Sequence, residues 1–328
     1  MWDFSLRRSL TLIAQTMSFI VLRCLVYFGI VLAYVLATGI GAGIGWGVGE
    51  LGDEGFRTAA TLWGGGAGFV LTAGVLYFLR EYILYLVKAG HIAAMVNLLD
   101  GASLPSGRAQ LEYAVSEVRH RFLQANVLFA IDQLIKGVVT AVTGLVQSAG
   151  TMLPIPGVQQ LMGAVRAFLR LAVGLVDEVI LAYIIKTDSD NPWASARTGL
   201  VLYGQNAPRM MKNAAWLALL SYGVGGLIFL ALLAPATALL YALPGTWSAG
   251  GVGFALLLAW ALKAALIEPF FIACLLQVYF RAIKGQKPDP EWEARLDRAS
   301  DKFGKLKDKA ARFSEQPVQA PKAPPARV

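Results

Sequence analysis

Long apolar runs without charged residues dominate the hydrophobic pattern of the chain. The runs at residues 24–49, 58–79 and 214–243 each exceed the roughly 20 residues that a helix needs to cross the hydrocarbon core of a bilayer. A fourth run starts at residue 248 and reaches that length only if Lys263 snorkels or faces protein. The pattern therefore predicts an all-α membrane protein with four firm transmembrane helices.

The middle of the chain, residues 110–186, is helical in pattern but more polar. Side chains such as Asp132 and Lys136 recur at helical spacing and so share one helix face. A Pro-Gly turn at residues 154–157 separates this stretch from a second amphipathic one. We therefore predict a central helical hairpin, either re-entrant or spanning, and the sequence leaves open whether residues 125–176 cross the bilayer.

These patterns divide the chain into segments of different character. They are an N-terminal interfacial helix (1–23), a first transmembrane hairpin with the amphipathic helix after it (24–100), the central amphipathic hairpin (101–190), a second unit with its own transmembrane hairpin (191–287), a cytoplasmic amphipathic helix (288–315) and a disordered tail (316–328).

Short internal similarities suggest that the hairpins are repeats. Residues 5–16 and 195–206 share serine, arginine, leucine and glutamine at equivalent positions. An acidic residue, Glu81, Glu178 or Glu268, follows each hairpin and begins an apolar run that ends in a basic residue. These correspondences predict up to three hairpin units of one kind, an arrangement common in transporters. The alternative is that cytoplasmic helix ends often carry an acid beside basic neighbours.

Composition and charge support the membrane assignment. With 56% hydrophobic residues, 15% charged residues and a mean hydropathy of +0.57, the chain lacks the balance of a soluble enzyme. Residues 281–328 carry +5 of the net charge of +8, basic residues also flank the other span ends, and the connection at 50–57 is mostly acidic. By the positive-inside rule we expect a multi-pass protein of the bacterial inner membrane, with both termini cytoplasmic and no nucleic-acid partner.

The chain carries no signature of catalysis. It lacks a nucleophile elbow, a phosphate-binding Gly-Lys-Ser or Gly-Lys-Thr loop and a histidine–carboxylate pair spaced for a metal. Its two histidines, His91 and His120, fall in amphipathic stretches, and Cys24 and Cys274 fall in apolar runs. We therefore expect no enzymatic activity, no catalytic residue, no metal and no cofactor.

Ionisable residues in or beside the apolar runs are the candidate substrate-binding residues, because charges within a membrane usually mark function. Glu268 is the foremost candidate, since it follows Lys263 in the fourth run and precedes Pro269, whose kink would bring the pair together. Trp260 lies deeper and is the aromatic candidate for solute contact. The central hairpin adds further candidates, for which a structural ion-pair network is the alternative: Asp132, Arg170, Asp177 and Glu178.

Two ridges of small residues run along the outer end of the first span: Gly39, Gly43 and Gly47, and Gly41, Gly45 and Gly49. Such ridges let helices approach backbone to backbone, so they predict close packing and a possible homo-oligomer. The alternative is a broken helix whose free backbone groups line a cavity.

The segment after residue 288 predicts a basic amphipathic helix. Asp289 is suited to cap it and Pro290 to its first position. Its apolar residues share one stripe: Trp292, Leu296, Ala299, Phe303, Leu306, Ala310 and Phe313. Such a helix beside a span is typical of contact with membrane lipid, or of docking of a protein partner at residues 289–313.

One short stretch resembles a known family. Its residues resemble a pattern near the C-terminal spans of choline transporter-like membrane proteins: Ser195-Ala196-Arg197, then Leu202, Asn206 and Arg209. This chain is shorter, has fewer spans and shows no large outer loop of the kind those proteins carry. The resemblance implies passage of a quaternary amine or a similar solute.

Two functions fit these patterns. The first is a transporter-like protein that passes a small solute, quaternary amine or lipid-related, through its helical bundle. The alternative is a non-catalytic membrane scaffold or assembly factor that recruits partners through its basic C-terminal helix. Polar residues facing an inner cavity favour the first function, whereas fully paired polar faces together with an exposed apolar stripe on the tail favour the second.

Overall fold

Helices make up the regular structure of the described residues. The computed structural model describes residues 2–105, 107–110, 112–113, 116, 122–151, 174–242 and 256–315, and no strand occurs among them. The long helices are α1 (Leu6–Gln15), α2 (Met17–Gly49), α3 (Glu54–Leu99), α4 (Phe122–Thr151), α5 (Val176–Thr187), α6 (Pro192–Gln205), α7 (Ala207–Ala242), α8 (Leu256–Ala282), α9 (Pro290–Ala299) and α10 (Asp301–Glu315).

Several of these helices are of membrane-spanning length and character. Five segments of the described chain are long and apolar enough to cross a bilayer: Met17–Gly49, Glu54–Leu76, Tyr82–Leu99, Ala207–Leu233 and Leu256–Ala282. Two of the five lie in one continuous helix, α3, of 46 residues. The prediction of an all-helical protein with several helices fit to span a membrane is therefore confirmed for the described residues.

The long helices pass from an exposed apolar band into a protein core. Large apolar side chains are exposed along α2 between Leu25 and Val48, on α3 as far as Ile83 and on α8 as far as Leu266. Further along α8, residues 271–276 are at most 2% exposed, because other helices of the chain cover them. We call this covered part the helical domain; it contains α1, α5, α6, α9, α10, the first half of α4 and the C-terminal ends of α3 and α8.

The first helix packs against α8 within the helical domain. Ser9 of α1 accepts a hydrogen bond from Gln277 Nε2 of α8 at 2.7 Å, and Leu12 is buried beside it. The Thr16 hydroxyl donates to the Leu12 carbonyl at 2.8 Å where α1 ends. Because α2 begins directly afterwards at Met17, the segment predicted as one interfacial helix is divided between α1 and the first turns of α2.

The hairpin of α2 and α3 is held together by one of the two glycine ridges. A Cβ placed on Gly41 would lie 2.2 Å from the Gly64 carbonyl oxygen, and one on Gly45 would lie 2.0 Å from the Ala60 carbonyl oxygen. Only glycine permits such an approach of two helix backbones. The other ridge is different, since a Cβ on Gly43 would meet nothing within 4 Å among the described residues.

The segment after residue 288 forms two helices that pack on the chain itself. The extended backbone of Ser300 (φ −155°, ψ 115°) separates α9 from α10. Leu296, Phe303 and Leu306 of the apolar stripe are buried in the core of the helical domain. The stripe therefore faces the chain's own helices. The predicted disordered tail, 316–328, lies outside the described residues.

Arg197 of α6 fastens this C-terminal pair of helices. Its guanidinium binds Asp297 of α9 through two hydrogen bonds of 3.1 and 2.5 Å, and its Nε donates to Glu293 at 2.7 Å. It also donates to the Phe303 carbonyl at 3.1 Å and lies 4.1 Å from the centre of the Phe303 ring. A planar guanidinium is well suited to this combination of paired oxygens and an aromatic face.

Candidate functional site

Two of the predicted acidic residues, Glu178 and Glu268, share one basic partner where the exposed apolar band ends. Lys88 of α3 lies 2.9 Å from Glu178 of α5 and 3.8 Å from Glu268 of α8. Glu178 is buried, whereas about a third of the Glu268 side chain is exposed. Three helices that are distant in sequence therefore share one ion network, and Glu268 is its loosely held member.

A second group of charges adjoins this network. Lys136 of α4 lies 2.9 Å from Asp132 on the same helix and 3.7 Å from Asp177 of α5. Asp177 and Glu178 are neighbours in the first turn of α5, so the two groups are continuous. The network thus joins α3, α4, α5 and α8.

The two adjacent acids of α5 titrate differently. Burial raises the pKa of Asp177 well above its usual range, and the charge of Glu178 adds to the shift. Burial acts in the same direction on Glu178, but the charge of Lys88 and hydrogen bonds from Asp177 and Lys88 outweigh it and lower the pKa of Glu178 to about 2. Of the two adjacent acids, Asp177 is therefore the one that holds a proton to higher pH.

Arg23 of α2 is a buried cation that the sequence shows only as a basic residue before the first apolar run. Its side chain is 1% exposed, and none of its guanidinium nitrogens has a hydrogen-bond partner among the described residues. It lies within electrostatic reach of Glu268 and Glu178. Its position directly before the first uncharged run was the available signal, but that position alone does not reveal burial.

Lys263 and Trp260 precede Glu268 in the part of α8 that carries exposed apolar side chains. Lys263 starts a π-helical turn, Lys263–Ile267, and its ammonium lies 5.7 Å from the centre of the Tyr222 ring of α7. No ion pair joins Lys263 to Glu268 in the described structure, although the helix is distorted between them. Trp260 packs edge-on against Tyr27 of α2, with 5.5 Å between the ring centres.

The remaining predicted residue, Arg170, lies outside the described residues, as does the Pro-Gly turn of the central hairpin. The described part of α4 places Ile131, Ile135 and Val138 in the core of the helical domain. Within the described ranges, no group of three or more His, Cys, Asp or Glu side chains is arranged to hold a metal ion.

A separate, half-open cavity lies between the start of α2 and the loop that follows α3. It has a volume of about 580 Å³, and its lining includes Met17, Ser18, Leu98 and Gln110. The Gln110 side chain accepts a hydrogen bond from the Ser18 amide at 3.3 Å and so satisfies an otherwise free group at the first turn of α2. None of the ion-network residues lines this cavity.

The residues that resemble the choline transporter-like pattern hold parts of the structure together. Arg197 fastens the C-terminal helices, and Asn206 Nδ2 donates to Gln286 Oε1 at 2.7 Å. Arg209 lies 3.6 Å from Asp3 near the N-terminus. Comparison of the chain with family models, curated proteins and solved structures finds no match. The resemblance therefore stays a prediction.

Proposed function

We propose that this chain is a multi-pass transporter-like protein that passes a small cationic solute through its helical bundle. Four crossings, by α2, α3, α7 and α8, are the arrangement that the helix lengths support. At 1.5 Å per residue, the 46 residues of α3 extend about 69 Å, more than twice the hydrocarbon thickness. Because α3 is continuous, its two apolar segments supply one crossing, and its inner end enters the helical domain.

The ion network of Lys88, Glu178 and Glu268 is the observation that carries this proposal. Buried charges in a membrane protein are costly and are retained mainly where they serve transport or binding. Glu268 is suited to bind a solute, since it is partly exposed and its cation lies at 3.8 Å rather than at hydrogen-bond distance. A cationic solute that takes over Glu268 would release Lys88 and so couple binding to the packing of α3 against α8.

Aromatic rings on α8 and the helices packed against it support a cationic solute of the quaternary-amine class. The edge-on pair of Trp260 and Tyr27 joins α8 to α2, and Trp260 lies eight residues before Glu268 in α8. Nearby, the Lys263 ammonium already lies against the Tyr222 ring, so this region accommodates a cation on an aromatic face. The residue types needed for an amine site, a carboxylate and aromatic rings, are therefore present on α2, α7 and α8.

The scaffold alternative has less support. It requires an apolar tail stripe that is available to a partner, whereas Leu296, Phe303 and Leu306 are buried against the chain itself. A partner at residues 289–313 would first have to displace α9 and α10 from α6. Deletion of residues 289–328 distinguishes the two functions, since it abolishes partner capture if the tail is the recruiting surface.

Uptake by proteoliposomes tests the proposal. Purified protein is reconstituted and offered choline, betaine, polyamines and amino acids in turn, with protein-free liposomes as the baseline. We expect one solute class to enter above the baseline, and Glu268→Gln to lower its uptake about tenfold or more, equivalent to at least 1.4 kcal/mol of lost attraction. Glu50→Gln is the matched control, because Glu50 forms an exposed ion pair with Arg57 at 3.4 Å, away from the network. Uptake at the baseline for every solute, or full uptake by Glu268→Gln, contradicts the proposal.

A further inference from the structure

We infer that Arg23 is a second cation of the proposed transport site, which takes over the carboxylates of Glu268 and Glu178 when Lys88 releases them. The inference rests on the proposed function, since it assigns a role in the same site to a residue on a further helix, α2. Arg23 and Lys88 are then alternating partners rather than two permanent ones.

The first observation is a set of unused hydrogen-bonding atoms. Arg23 is 1% exposed, and its Nε, Nη1 and Nη2 atoms have no partner among the described residues. On the acceptor side, Glu178 Oε2 is also buried without a partner, although Glu178 Oε1 binds Lys88. A buried guanidinium without hydrogen bonds is among the most costly arrangements in a protein. The unused Arg23 donors and the unused Glu178 acceptor lie within electrostatic reach of each other, which indicates that an Arg23–Glu178 pairing is available.

The second observation is the π-helical turn directly before Glu268. In this turn the Glu268 amide donates to the Lys263 carbonyl, five residues back, instead of to the residue four back. Conversion of the π turn to regular α-helix removes one residue from the turn. The part of α8 on one side of the turn, relative to the other, then rotates about the helix axis by about 100°. Pro269 has no amide hydrogen, so it loses no hydrogen bond in such a change.

The π turn is also placed where its conversion would affect Arg23. Residues Lys263–Ile267 pack against α2, the helix that carries Arg23, as well as against α7. Ala264 and Ala265, the small residues of the turn, are 1% exposed. A rotation there changes the direction of the Glu268 side chain relative to both α2 and α3. The geometry thus supplies a mechanism by which Glu268 exchanges Lys88 for Arg23.

Thermal unfolding of purified variants tests the exchange without any solute. The loss of melting temperature caused by Arg23→Gln is measured in the wild-type background, in Lys88→Gln and in Lys136→Gln. We expect Arg23→Gln to cost more in Lys88→Gln than in wild type, because Arg23 then holds the carboxylates alone. The Lys136→Gln background is the matched control, since Lys136 pairs with Asp132 at 2.9 Å rather than with Glu178 or Glu268, and there the cost is expected to equal that in wild type. Equal costs in all three backgrounds overturn the inference.

A charge exchange covers the case in which Lys88→Gln does not fold. Glu268→Arg places a third cation beside Lys88 and Arg23, and we expect Arg23→Glu to restore much of the lost melting temperature. Arg281→Glu, an exposed charge reversal on the same helix as Glu268, is expected to restore none. Rescue by neither variant, or by both equally, overturns the inference. Because these measurements need no transport, they succeed or fail independently of the uptake assay.

Discussion

Two glycines of α2 provide a matched pair that tests the packing of the first hairpin. Gly43→Ala and Gly45→Ala add the same methyl group two positions apart. At position 45 the new Cβ would lie 2.0 Å from the Ala60 carbonyl oxygen, and ordinary contact begins at 3.4 Å, so the helices must separate locally by about 1.4 Å. At position 43 the new Cβ meets nothing within 4 Å.

The expected cost follows from this difference. Overpacking against backbone atoms destabilises by about 1–3 kcal/mol, and each kcal/mol lowers the melting temperature of a large domain by roughly 2–4 °C. Gly45→Ala is therefore expected to melt several degrees below wild type in the same detergent. Gly43→Ala is expected to melt no lower than wild type, since alanine is the better helix former. Equal losses in both variants would refute the conclusion that α2 and α3 pack through the ridge of Gly41, Gly45 and Gly49.

Two further predictions concern the helical domain. Arg197→Ala removes the hydrogen bonds to Glu293 and Asp297 and is expected to lower the free energy of unfolding by about 2 kcal/mol, a loss that stays moderate because the freed carboxylates become solvated. It is also expected to expose residues 290–315 to limited proteolysis. The exposed Arg298→Ala serves as control, and an equally resistant tail in both variants contradicts the docking. Asp177→Asn tests the raised pKa of Asp177: stability from the protonated acid is full below its ordinary pKa and is lost as the pH rises through the raised value. The melting temperature of the wild type should therefore fall as the pH rises, and that of Asp177→Asn should change less. Parallel curves for the two proteins contradict the raised pKa of Asp177.

The sequence predicts the long apolar helices well and their packing faces poorly. Uncharged runs reveal α2, α3, α7 and α8, because length and hydropathy are properties of each segment alone. The two glycine ridges of α2 have the same spacing, so nothing in the pattern indicates that Gly45 packs against α3 while Gly43 does not. That choice depends on the rotation of α2 relative to its neighbour.

The same limit applies to the candidate site and to the C-terminal helices. Charge within apolar surroundings was sufficient to select Glu178 and Glu268, but their cation Lys88 belongs to a helix distant in sequence. Arg23 resembles any basic residue at the inner end of a span until its burial is known. The stripe that includes Phe303 has the pattern of a helix for lipid or a partner, and only the fold places α6 against it.

Ligand-dependent melting of the purified protein tests the central claim most directly. The protein and its Glu268→Gln variant are heated in nanodiscs with choline, betaine, polyamines, amino acids and lipid head groups. A ligand at about 100 times its dissociation constant stabilises the folded state by roughly 2.7 kcal/mol, which gives a measurable shift. The account predicts a selective rise with a cationic solute in wild type that is absent from Glu268→Gln. No rise with any solute, or an equal rise in both proteins, would contradict a solute site at Glu268.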